Sequence, residues 1–247
     1  MKRVIILLSF IIFILIFLKL VISYIFFVNI KDVNGGDLNS FISEFNYELA
    51  YQGINLDVFY KRGNDGNKNI LLIIQDINGD FFKDEHVKDF LKKSGISFFI
   101  CNYKKGLKGG NFLNIKSRLG ETFETFFKTC NNHISKGSRI VIFSYKTGAL
   151  FVPCLMEDKI QRVIFYDFEI SPFKQKRGII YFLKNNLIDF DFGLEKLLKN
   201  GKFEKVFLFD EDFLKVNSSE KLLFYISSLP KRFLILKDKD KISDFID

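Results

Sequence analysis

The side chains able to do acid-base, nucleophilic or metal chemistry are few. The chain has two histidines, His86 and His133, and three cysteines, Cys101, Cys130 and Cys154. Three thiols cannot all pair, and each sits in an apolar strand or helix pattern, so buried free thiols are expected. No C-x-x-C or H-E-x-x-H spacing occurs, so neither a zinc motif nor a redox motif is present. Asp76-Ile77-Asn78-Gly79-Asp80 carries the carboxylates of a calcium loop. Its glycine is fourth rather than sixth, however, and Val87 stands where the bidentate glutamate belongs. No metal and no cofactor is expected. Two further stretches put polar residues directly after apolar runs. One is Ser144-Tyr145-Lys146-Thr147-Gly148 and the other is Asp210-Glu211-Asp212.

The elements that position these residues follow from periodicity. Residues 47–50 and 54–60 alternate as a hairpin turned at Gln52-Gly53. The continuous apolar run at 70–74 has the character of a buried parallel strand, and 96–101, 139–143, 163–166, 205–209 and 233–236 read as further strands. Between them, helical periodicity predicts helices at 83–93, 112–134, 147–156 and 218–228, with an irregular helical stretch at 172–200. Three strands followed by α/β repeats, with no internal repeat, predict one doubly wound, mostly parallel α/β domain over 45–247.

The chain has 247 residues, 48% of them apolar and 27% charged, with 37 Lys+Arg against 29 Asp+Glu. This excludes disorder and a disulfide-dense mini-protein. The net charge of +8 is scattered over short runs such as Lys104-Lys105 and Lys231-Arg232. Without a nucleic-acid motif it reads as a solvated basic surface, so no nucleic-acid partner is expected. Residues 4–28 are apolar except for Ser9, Lys19 and Ser23. About 25 residues at about 1.5 Å each give about 37 Å of helix, enough to cross a hydrocarbon core of about 30 Å. A cleaved signal peptide competes, but the apolar run continues through Tyr24-Ile25-Phe26-Phe27 with no polar stretch before the cut. Residues 1–28 therefore read as a transmembrane signal-anchor and 29–44 as a tether. Lys2 and Arg3 place the N-terminus in the cytoplasm and the soluble domain outside it, in a single-pass protein.

Three stretches in order resemble the alpha/beta-hydrolase superfamily, in particular its membrane-tethered esterase and lysophospholipase-like branch. Leu71 to Asp80 is similar to the strand and His-Gly loop that supplies half of the oxyanion hole. Cys101 to Gly109 is similar to the Asp-Tyr-Arg-Gly-x-Gly loop. Ile140 to Ala149 resembles the strand, sharp turn and helix of the nucleophile elbow. The resemblance implies an alpha/beta-hydrolase-like sheet, with a lid or insertion at 172–200.

It also implies lost chemistry. In the elbow G-x-S-x-G the central residue is the nucleophile, because the strained turn aims that side chain into the site. Here the centre is Lys146, and Ser144 occupies the first glycine's position, aimed away. Gln75-Asp76 replaces His-Gly, so Gln75, Asp76 and Thr147 form a degenerate oxyanion loop, and a carboxylate at Asp76 opposes an oxyanion unless it turns away. Lys237-Asp238-Lys239-Asp240 stands where the histidine base belongs, and neither His86 nor His133 fits that position. The acid position survives best, at Asp212 or, with the turn shifted, Asp210. A long cation at 146 would reach that acid and pair with it.

Three functions follow from this pattern. One is a catalytically inactive pseudoenzyme serving as an extracytoplasmic binding or interaction module. Another is an active enzyme on lipid or acyl esters using Lys146 as nucleophile or base. The third is a structural envelope protein. The membrane is the expected partner through the N-terminal helix, and a Phe-lined cleft near the bilayer would take a lipid or acyl chain.

Overall fold

In the computed structural model the described residues are 2–31, 35–54, 56–64, 68–77, 79–103, 105, 115–134, 137–155, 160–170, 192–209 and 218–235. Helix α1 (Lys2–Lys31) is followed by helix α2 (Gly35–Phe45), then strands β1 (Glu48–Gln52), β2 (Asp57–Lys61) and β3 (Asn69–Ile74). A 3-10 turn at Asp80–Lys83 leads into α3 (Glu85–Lys93). Next come β4 (Ser97–Cys101), α4 (Ile115–His133), β5 (Arg139–Tyr145), a 3-10 segment at Lys146–Leu155 and β6 (Ile160–Tyr166). The chain continues through α5 (Leu194–Asn200), β7 (Glu204–Phe209), α6 (Ser218–Ile226) and β8 (Lys231–Ile235).

Among the described residues the strands form one sheet of eight in the order β1-β2-β4-β3-β5-β6-β7-β8. β1 and β2 are antiparallel, β2 is antiparallel to β4, and every other neighbouring pair is parallel. This is the expected doubly wound, mostly parallel α/β architecture. β3 is buried along its whole length and β5 from Ile140 on, because crossover helices cover both faces of a parallel sheet. One face packs Phe123, Phe126, Phe127 and Phe151 against β3, β4 and β5. The other packs Phe81, Phe90, Phe98 and Phe143 beneath α3.

Three expectations are corrected. The span 29–44 is not only a tether, because Gly35–Phe45 is a helix. Its Leu38, Phe41 and Phe45 recur at i, i+3 and i+7 and are buried in the core, which is helical amphipathicity. The expected α-helix at 147–156 is a 3-10 segment over Lys146–Leu155 with Pro153 inside it, and a proline there has no N–H for an i→i−4 bond. The hairpin's second strand begins at Asp57, after a connection closed by the Gly53 N–H donating to Leu56 O at 2.8 Å. Residues 172–191 of the expected lid lie outside the described residues, and its last part, 192–200, contains α5.

Helix α1 is long and apolar enough to cross a membrane. Its window Val4–Val21 has a mean hydropathy of 3.2 and none of that window is buried. A signal sequence near an N-terminus shares these properties.

Candidate functional site

The carboxyl ends of β3, β5 and β6 converge on Lys146. Strand β5 delivers the chain into a sharp turn in which Lys146 adopts φ +46°, a left-handed conformation that costs an L residue with a Cβ about 1–2 kcal/mol. The backbone then packs directly on the end of β3. A Cβ on Gly148 would sit 2.3 Å from Ile74 O and 2.9 Å from Gln75 O, so only glycine fits. A strand, a residue at positive φ and a glycine at closest approach thus follow one another over 144–148. Ser144 points away from the turn, with its hydroxyl donating to Ile164 O of β6 at 3.3 Å.

The loop after β3 is spent on internal contacts. The Asp76 carboxylate is fully buried and accepts from Asp80 N (3.2 Å) and Phe81 N (3.0 Å), so both of its oxygens hold the 3-10 turn. Gln75 donates from Nε2 to Cys101 O (2.9 Å), bracing the ends of β3 and β4. Its backbone carbonyl accepts from the Tyr103 hydroxyl at 3.2 Å. Thr147 is fully buried, and its hydroxyl accepts from the Ile77 N–H at 3.1 Å. A backbone donor of this loop, of the kind that builds an oxyanion hole with the elbow, is thus consumed by the elbow's own side chain.

The Lys146 ammonium lies 3.0 Å from Asp80 Oδ2 and 5.3 Å from the centre of the Tyr145 ring. The pair expected with Asp212 or Asp210 falls outside the described residues; the carboxylate brought to Lys146 is that of Asp80. Burial works to lower the lysine's pKa. The hydrogen bond to Asp80 and the charges of Asp80, Glu169 and Asp76 outweigh it, and the net shift is upward. Beside it the Tyr145 hydroxyl donates to Asp84 Oδ2 at 2.9 Å. Burial first, then the Asp84 charge and hydrogen bond, hold that phenol far above its ordinary range. Asp84 also caps α3 through the His86 and Val87 N–H groups.

His86 is exposed in the first turn of α3. His133 ends α4, with Nδ1 3.0 Å from Thr129 O and its ring against Tyr60 and Phe99. Cys101 and Cys130 are buried as expected, whereas Cys154 is partly exposed; burial pushes its thiol up to about 11 against the pull of Lys116. Asp80 and Asp84 are the residues that sequence reasoning missed. The signal for Asp84 was its N-cap position before Glu85-His86-Val87. For Asp80 no local signal points to a partner 66 residues away.

No family model and no curated protein matches this chain. Solved structures do. An esterase of Pyrococcus furiosus, 13% identical, matches with a TM-score of 0.57 over 83% of this chain and 88% of its own. A sugar hydrolase from Lactococcus lactis, 12% identical, matches with a TM-score of 0.56 over 77% of this chain and 82% of its own. The uncomplexed acylaminoacyl peptidase of Pyrococcus horikoshii, 11% identical, gives 0.53 over 81% of this chain and 39% of that larger one. The chain has an alpha/beta-hydrolase-like fold. At these identities the likeness concerns the fold.

Proposed function

We propose that this chain is a catalytically inactive alpha/beta-hydrolase-like protein, anchored by α1 and serving outside the cytoplasm as a binding or interaction module. The observation that carries the reading is the elbow itself, where Lys146 stands at the strained position and is tied to Asp80 at 3.0 Å. A lysine attacks a carbonyl, or takes a proton, only as the free amine. Neighbouring carboxylates raise its pKa and hold it as ammonium, which weighs against catalysis by Lys146. The Ile77 donor turned to Thr147 weighs against stabilisation of a tetrahedral oxyanion, since such donors must be free and aimed at the developing charge.

The full chain, incubated with a serine-directed fluorophosphonate probe and with short-chain aryl esters, is expected to show neither labelling nor turnover. Lys146→Ser is expected to remain inactive, because a serine without a base stays protonated and weakly nucleophilic. Labelling or turnover by the parent chain would overturn the reading, and hydrolysis by the Lys146→Ser variant well above an unrelated control protein would show that a base does serve position 146. For topology, protease added to intact spheroplasts is expected to digest the domain; protection until lysis would reverse the orientation.

A further inference from the structure

The contacts of α2 fix the direction in which it runs along the sheet. Phe41, midway along α2, packs on Phe81 (5.6 Å between ring centres) and Phe82 (5.4 Å), which lie in the 3-10 turn just beyond the carboxyl end of β3. Phe45, at the end of α2, packs edge-on against Phe98 at the amino end of β4 (6.1 Å) and lies under the ammonium of Lys61 at the last residue of β2. Glu44 pairs with Lys92 at the last turn of α3. Helix α2 therefore descends from the carboxyl end of the parallel strands to their amino end. Its first residue, Gly35, is at the end that carries Lys146.

Helix α1 ends at Lys31, so Gly35 lies within about 15 Å of that end, four Cα steps of 3.8 Å. A six-residue strand is about 20 Å long, so the carboxyl end of the sheet is the end nearer the C-terminus of α1. The β1–β2 hairpin turns at this same end, because Val58 of β2 pairs with Cys101, the last residue of β4. At that turn Ile54 is 90% exposed and Tyr51 39% exposed. An exposed isoleucine at the hairpin turn, with a tyrosine beside it near the end of β1, is the composition of an interfacial anchor, an apolar tip with an amphipathic ring at headgroup depth.

We infer that the carboxyl end of the sheet, the end bearing the degenerate elbow, is apposed to the bilayer that holds α1, and that the hairpin tip at Ile54 inserts into the lipid surface. Whatever the module binds at that end then approaches from the membrane plane. This placement depends on α1 as anchor and on the direction of α2, not on whether Lys146 is inert, so a catalytic result leaves it standing.

The chain contains no tryptophan, which allows a single-reporter test. Ile54→Trp and, separately, Tyr225→Trp are made in the full 247-residue chain. Tyr225 is 72% exposed on α6 and its carbonyl accepts from Lys231 at the amino end of β8, so it reports the far end. Each variant is reconstituted into phosphatidylcholine vesicles with plain or brominated acyl chains. The expected result is about twofold quenching and a blue-shifted emission for the tryptophan at 54, with no change at 225, since interfacial groups sit at the headgroup and acyl boundary. Quenching at 225, equal quenching at both sites, or quenching at neither would overturn the placement.

Discussion

Two lysines at opposite ends of the sheet show two different ways in which this fold holds a cation. Lys205, at the amino end of β7, is fully buried, and among the described residues its ammonium meets neutral oxygens: Gly201 O (2.6 Å), Phe203 O (3.1 Å) and Ser228 Oγ (3.1 Å). It also lies 4.5 Å over the Phe203 ring. Those carbonyls follow the C-terminus of α5, where a cation completes unsatisfied acceptors and favours the helix dipole. Lys146, at the carboxyl end, is half-buried, sits on a strained backbone and is held by a carboxylate from another loop. The first lysine is architecture. The second stands at a turn that stores backbone strain, and its charge is offset by a paired carboxylate. The backbone geometry there is carried by the packing beneath it rather than by the side chain at the turn.

The sharpest way to break that statement is to disturb the packing and leave both lysines alone. Gly148→Ala places a methyl 2.3 Å from one backbone carbonyl and 2.9 Å from another, and neither belongs to a flexible side chain. A destabilisation of about 3 kcal/mol or more is expected, since the end of β3 and the elbow must separate. Urea melts of the variant against the parent read it directly. An alanine tolerated within 1 kcal/mol, roughly the spread of ordinary surface changes, would show that the elbow is held open by something other than close approach.

A smaller effect tests the amino end. Lys205→Met keeps most of the apolar stem and removes the donor, leaving Phe203 O without it and Gly201 O with only the Ser228 hydroxyl. A loss of about 2 kcal/mol is expected at neutral pH. The pH trend carries the sign. Burial, aided by the Lys231 charge, lowers the pKa of Lys205 below its ordinary 10.5. Between the folded value and 10.5 the unfolded chain binds more protons, so this group's contribution to stability rises with pH through that window. The deficit of Lys205→Met relative to the parent is therefore expected to widen towards pH 10.5. A deficit that shrinks would mean the ammonium gains more from its oxygens than burial costs it.

How far these two ends were legible in the sequence differs for a physical reason. The strands and the helices at 85–93 and 115–133 follow from local periodicity, so order and class could be read, whereas the turn at 144–148 was suggested by the resemblance to alpha/beta-hydrolases. The helix at Gly35–Phe45 was legible in principle from Leu38, Phe41 and Phe45, but the neighbouring Asn34-Gly35-Gly36 reads as a loop signal. The partner of Lys146 was not legible. A cation at the elbow can reach acids from several loops, and which loop arrives is decided by Asp76 capping the 3-10 turn and so presenting Asp80. Lys205 gave no signal at all, because a lysine at the start of a strand pattern is ordinarily solvated, and only the tertiary return of Ser228 closes its cage.

The smallest expected effect separates strain from charge at the elbow. Lys146→Ala keeps a Cβ on the φ of +46° and loses the pair with Asp80, whose side chain is 50% exposed. A pair that open to solvent is worth about 0–1 kcal/mol, so the alanine variant should fall by no more than that. Lys146→Gly loses the same pair but relieves a left-handed cost of about 1–2 kcal/mol, partly offset by about 0.5–1 kcal/mol of extra unfolded-state freedom. The glycine variant is therefore expected to match or exceed the alanine variant and to stay within about 1 kcal/mol of the parent. Equilibrium melts of all three, repeated at high salt to screen the pair, distinguish the two contributions. If glycine instead fell well below alanine, the backbone at 146 would owe its shape to the lysine side chain. Lys146 would then belong with Lys205 as architecture, and the contrast between the two ends of the sheet would collapse.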